Sequence, residues 1–80
     1  MLKSLFSQLG ANEKESNTYL KLLELGATHV SHIAKILNIP RATMYLIIDK
    51  LEELQLAEHF IRNGIKYVKA IPPKEIINLL

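Results

Sequence analysis

The stretch that decides the fold is Ser31–Leu51, SHIAKILNIPRATMYLIIDKL. Ile33, Ala34 and Leu37 fall at i, i+1 and i+4, one face of a short helix. Ser31 stands just ahead of that face, where its hydroxyl can accept from an unpaired backbone N–H at the helix start. Asn38-Ile39-Pro40 then breaks the helix. Ile39 precedes a proline and is pushed out of the α region, while Pro40 has the fixed φ and missing donor that suit the first turn of a new helix. Beyond it Met44, Ile47, Ile48, Leu51 and Leu54 recur at three- and four-residue steps. That stripe is about four turns long. A short helix, a tight turn and a longer helix form the helix-turn-helix outline. Both apolar faces must share one core, so the second helix is held rigidly with its first turns outward, able to enter a DNA groove.

Towards the C-terminus the period changes. Ala57-Glu58-His59-Phe60-Ile61 and Ile65-Lys66-Tyr67-Val68-Lys69 tend to alternate, with Arg62-Asn63-Gly64 between them. Asn-Gly between such runs predicts a hairpin, because both residues tolerate positive φ. Phe60 and Tyr67 are cross-strand or core aromatics. Arg62 and Lys66 flank the tip, and a basic hairpin beside the second helix is the wing of a winged helix. Gln55 follows the long helix where a glycine or asparagine is commonly expected, which predicts a slightly strained or non-αL ending. Ile71-Pro72-Pro73 leaves the hairpin, and Ile76, Ile77, Leu79 and Leu80 make residues 73–80 a short apolar helix. It either packs on a partner subunit or leads into further protein.

Towards the N-terminus, Asn12 with Glu15 forms a variant capping box. Tyr19, Leu20, Leu22, Leu23 and Leu25 supply an apolar face opposite Lys14, Asn17, Lys21 and Glu24, and Gly26 stops the helix. It reads as scaffold, with no site on it. Ala27-Thr28-His29-Val30 is a link with one strand's worth of pairing in it. Ahead of all this, Leu2, Leu5, Phe6 and Leu9 stripe a helix within residues 1–10 that either caps the core or dimerises.

Eighty residues make one small domain, near the lower size limit for independent folding. With 49% hydrophobic residues a core is still within reach. The absence of cysteine excludes disulfides, cysteine-based zinc sites and thiol nucleophiles, and fits a reducing cytoplasm. No apolar run is long enough to span a bilayer. The net charge of +2 is modest, and four basic against two acidic residues in 57–80 supply all of it. A single copy is therefore expected to bind DNA weakly, since neutralising phosphates supplies most of the affinity.

The run LGANEKESNTYLKLLELGATHVSHIAKILNIPRATMYLIIDKLEELQLAEH, followed by NGIKYVKAIPP, resembles the N-terminal winged-helix domain of TrmB-like transcriptional regulators. That family is mostly archaeal, with bacterial relatives, and typically responds to sugars. The resemblance spans about Leu9 to Pro73 and is most specific in IPRATMY, DKLEELQL and YVKAIPP. It implies an α+β winged helix-turn-helix, mostly helical with a two-stranded β wing. It also implies a cytoplasmic homodimer that binds double-stranded DNA. Three features depart from the family. Leu46 stands where relatives usually carry Arg, Gln55 stands where they carry Gly, and the large C-terminal effector domain has no counterpart in these residues. No small-molecule effector site is therefore assigned.

The helix-turn-helix, 31–54, and the wing, 57–70, supply the candidate site residues. Arg41, Thr43, Tyr45 and Leu46 lie on the opening turns of the second helix, off the core stripe, where base edges are met. Arg41 suits guanine or a phosphate, Thr43 and Leu46 suit thymine methyls, and Tyr45 suits the backbone. Ser31 and His32 offer a helix start to phosphate. Lys50, Arg62, Asn63 and Lys66 are phosphate or minor-groove candidates. Taken singly, Arg41 and Lys50 read more simply as solvated surface charges and residues 62–66 as an ordinary hairpin tip; together with the resemblance they favour DNA, and Thr43 equally suits packing into the turn. Dimerisation is assigned to Leu2, Leu5, Phe6, Leu9, Ile76, Ile77 and Leu80. His29, His32 and His59 fall on different elements and give no metal site by spacing. No phosphate loop or evident carboxylate pair suggests an enzyme, and no cofactor is expected. The competing class is a winged helix used as a protein-interaction module, which Leu46 and the apolar termini suit.

Overall fold

The computed structural model describes residues 12–72; the helices expected over 1–10 and 73–80, with their dimerisation residues, lie outside that range. Asn12 opens helix α1, Glu13–Leu25. The capping box is formed in both directions. The Asn12 amide oxygen accepts from the Glu15 N–H at 2.8 Å, and the Glu15 carboxylate accepts from the Asn12 N–H at 2.9 Å. Two otherwise unpaired donors are satisfied this way. Gly26, at φ 76°, ends the helix with its N–H on the Leu22 carbonyl. Leu25, expected on the apolar face, is exposed instead.

Strand β1, Thr28–His29, runs straight into helix α2, Val30–Ile36. This corrects the reading of Ser31 as the helix cap. His29 is the capping residue and makes no side-chain cap bond, while Ser31 is exposed in the first turn. Thr28 and His29 are paired with Val68 and Tyr67, and Val30 is buried, so strand pairing rather than a side-chain cap fixes where the helix begins. Asn38, at φ 55°, turns the chain out of α2. The Ile39 N–H donates to Ala34 and the Asn38 N–H to Lys35, which is a Schellman ending.

Helix α3, Arg41–Glu53, starts one residue after Pro40, which occupies the cap. Its end is also a Schellman motif: the Leu56 N–H donates to Leu51 at 2.8 Å and the Gln55 N–H to Glu52 at 3.0 Å. Gln55 therefore carries the left-handed conformation, φ 63°. The non-αL alternative is excluded, and a side chain with a Cβ sits where glycine would be unstrained.

Strands β2, Ala57–Arg62, and β3, Ile65–Ala70, form the wing around Asn63 and Gly64, whose φ values of 54° and 77° make the primed turn that Asn-Gly favours. The sheet has three antiparallel strands in the order β1-β3-β2, the expected two-stranded wing plus the strand's worth of pairing expected in the link at residues 27–30. The link before α2 supplies the third. Tyr19 and Leu22 of α1, Val30, Ile33 and Ala34 of α2, and Met44, Ile47, Ile48 and Leu51 of α3 meet Leu56, Ala57 and Val68 in one core. Tyr19 reaches across it to donate to the Ile71 carbonyl at 2.5 Å, tying α1 to the exit of the wing. Among the described residues no buried side-chain polar atom lacks a partner.

Candidate nucleic-acid interface

An α-helix turns about 100° per residue, so the buried stripe of α3 fixes where its other side chains lie. Met44, Ile47, Ile48 and Leu51 face the core. Diametrically opposite, by that rotation, come Ala42, Leu46 and Asp49, all exposed. Leu46 is 69% exposed. Arg41 and Tyr45, four residues apart, share one flank, and Thr43 lies on the other, with Lys50 two turns further along. The protruding ridge of α3 is thus apolar and acidic, and its hydrogen-bond donors are on the flanks.

The wing closes one flank into a cleft of about 330 Å³ that brings together Ser31, Arg41, Tyr45 and Lys66, with His29 and Gly64 beside them. Lys66 leans over Tyr45, its ammonium 5.5 Å from the ring centre. Ser31 enters because α2 begins at the same edge of the sheet. The two cations and the hydroxyls of this cleft suit an anionic oxygen, and among the described residues no carboxylate lines it. His29 is a site residue that the sequence did not mark. It enters because β1, the pairing expected in this link, takes β3 as its partner, a long-range choice without a local signature.

Not every expected residue converges there. Successive strand residues point to opposite faces. Lys66 therefore shares the helix-facing side of β3 with Val68, and Arg62 lies on the other side of the sheet. On that side Phe60 stacks on Tyr67 with ring centres 5.4 Å apart, and His29 approaches Tyr67 at 4.5 Å. The Arg62 guanidinium sits 5.7 Å from the Phe60 ring centre. Asn63 is exposed at the turn. His32 lies with Ser31 and Lys35 on the exposed side of α2. His59 is bonded to the Glu52 carboxylate, joining the wing to the far end of α3. Among the described residues no three His, Cys, Asp or Glu side chains gather as a metal would need. None of the helices described there is long and apolar enough to cross a membrane.

The family described as "Sugar-specific transcriptional regulator TrmB" matches residues 5–74. The chain belongs to the TrmB family. No curated protein matches it. Among solved structures, the YusO protein of Bacillus subtilis superimposes with a TM-score of 0.77 at 15% identity, over 95% of this chain. The match covers 60% of the YusO chain, so the TrmB-family chain spans well under its full length. A possible transcriptional regulatory protein from Mycobacterium bovis, fragment 1–100, gives 0.66 at 20% identity, over 98% of this chain and 85% of that one. At such low identity these likenesses speak for the fold, the winged helix. The TrmB-family chain keeps that fold with Leu46, not a cation, on the ridge of α3.

Proposed function

We propose that this chain is a sequence-specific, double-stranded-DNA-binding transcriptional regulator that acts as a homodimer. The opening turns of α3 enter a major groove, and the wing grips the flanking backbone. One observation carries the reading: Arg41, Ala42 and Leu46 of those turns are exposed and stand beside a cleft holding Arg41, Tyr45, Ser31 and Lys66 without a carboxylate among the described residues. Ala42 and Leu46 on the ridge are suited to thymine methyls, and Arg41 to guanine or a phosphate. Membership of a family described as transcriptional regulators adds support. The dimer is a reading of Leu2, Leu5, Phe6, Leu9, Ile76, Ile77 and Leu80 in the sequence. A monomer in sedimentation at high micromolar concentration removes that part.

The test is titration of random-sequence duplex DNA over a range of salt concentrations. A phosphate-gripping protein loses affinity linearly in log salt. Both Arg41→Ala and Lys66→Ala are expected to weaken binding, and neither having an effect overturns the groove assignment. Selection from a random DNA pool then tests sequence preference, and recovery of no motif removes the specific part of the reading.

A second reading, a protein-interaction module, is favoured by one observation: Leu46 on α3 and Ile61 on the wing are each 69% exposed. Weak binding to duplex at every salt concentration is its signature.

A further inference from the structure

The flank of α3 away from the wing also opens into a cleft, of about 430 Å³, between the first turns of α1 and the turn before α3. Lys14, Asn17, Asn38, Pro40 and Thr43 line it. It presents an ammonium, two amides and a hydroxyl, and among the described residues no carboxylate lines it. Of the carboxylates of α1, Glu13 is exposed beside Lys14 in sequence but does not line the cleft, and the other two are engaged elsewhere. Glu15 is buried in the capping box, and Glu24 pairs with Lys21 at 3.1 Å. Among the described residues no carboxylate forms an ion pair with Lys14.

We propose that Lys14 and Asn17 hold a phosphate of the DNA backbone on the side of α3 opposite the wing. The inference rests on the DNA reading above. A helix with its side chains is about 10–12 Å across, and the major groove is about 12 Å wide. A helix seated there has one sugar–phosphate backbone against each flank. The wing cleft meets one strand through Arg41 and Lys66. The α1 cleft meets the other through Lys14 and Asn17, with Thr43 at its inner edge. The ridge between them, Ala42, Leu46 and Asp49, carries no cation, so the grip on both strands comes from the flanks. Helix α1, which reads in the sequence as plain scaffold, then forms half of the interface.

The experiment measures the affinity of the 80-residue chain for random duplex against salt. One phosphate contact is worth about 0.9 in the slope of log affinity against log salt. Lys14→Ala is expected to lower the slope by about that amount, and Lys14→Arg to restore it. Lys21→Ala, on the same helix but paired with Glu24, is expected to leave the slope unchanged, which separates a contact from the general field of a lysine. Asn17→Ala is expected to weaken binding with the slope kept. If Lys66→Ala lowers the slope and Lys14→Ala does not, the proposal is overturned while the DNA reading stands. Equal losses from Lys14→Ala and Lys21→Ala overturn it too. An unaltered chain that does not bind duplex overturns both.

Discussion

Lys66 of the wing lies over the ring of Tyr45 in α3, ammonium to ring centre 5.5 Å, and this contact joins the two parts of the wing cleft. A cation above an aromatic face is held by the ring quadrupole, worth about 0.5–1 kcal/mol where partly solvated. Tyr45→Phe keeps the face and is expected to change stability little. Tyr45→Leu is expected to lose about 0.5–1 kcal/mol. A double-mutant cycle with Lys66→Met measures the coupling by denaturant unfolding. A coupling of zero means that the ring does not hold the lysine.

Gln55 occupies the left-handed position of the α3 ending at φ 63°. A residue with a Cβ is about 1–2 kcal/mol less favourable there than in the right-handed region. Gly64, the nearest glycine in similar geometry at φ 77°, has no such cost. Gln55→Gly is expected to stabilise the chain by up to about 1 kcal/mol, since the added freedom of the unfolded glycine offsets part of the gain. A raised thermal midpoint checks it. Gln55→Val, β-branched, is expected to lower the midpoint.

Leu51 is fully buried where α3 meets the wing and α1. Removing its methyl groups forfeits burial and leaves a cavity, at a cost of about 2–5 kcal/mol. Small domains have total stabilities at the low end of about 5–15 kcal/mol. Leu51→Ala is therefore expected to leave a substantial unfolded population at moderate temperature, visible as lost helical circular dichroism. Exposed Leu46→Ala is expected to be nearly silent in the same assay, so the pair separates core from surface on one helix.

The Tyr19 hydroxyl donates to the Ile71 carbonyl across the core. Tyr19→Phe keeps the ring packing and removes the donor, so the expected loss is about 1 kcal/mol, the net worth of one such bond. Amide exchange is expected to quicken at Ile71, whose N–H is bonded to the Leu56 carbonyl at 2.9 Å. Unchanged exchange there indicates that the strand exit is held by packing alone.

The α+β winged helix was readable from the chain because its marks are local. The three- and four-residue spacing of Met44, Ile47, Ile48 and Leu51 specifies a helix and its buried side at once. Asn63-Gly64 names a turn, and Asn12 with Glu15 a helix start, each within four residues of chain. The spacing also says which of Arg41, Tyr45 and Leu46 avoid the core.

Contacts between segments distant in sequence decided the rest. Pairing with Val68 and Tyr67 gave the strand expected at Thr28 and His29 its partner and set the start of α2, displacing Ser31 from the cap. Lys66 and Arg62 flank the same turn in sequence, yet the two-residue strand period sends them to opposite faces. Lys14 sits 29 positions before Thr43 in the sequence and shares a cleft with it only because α1 packs beside the turn. Periodicity tells each element which side to bury. Only the docking of those buried sides against one another determines which exposed groups become neighbours, and a binding surface is made of such neighbours.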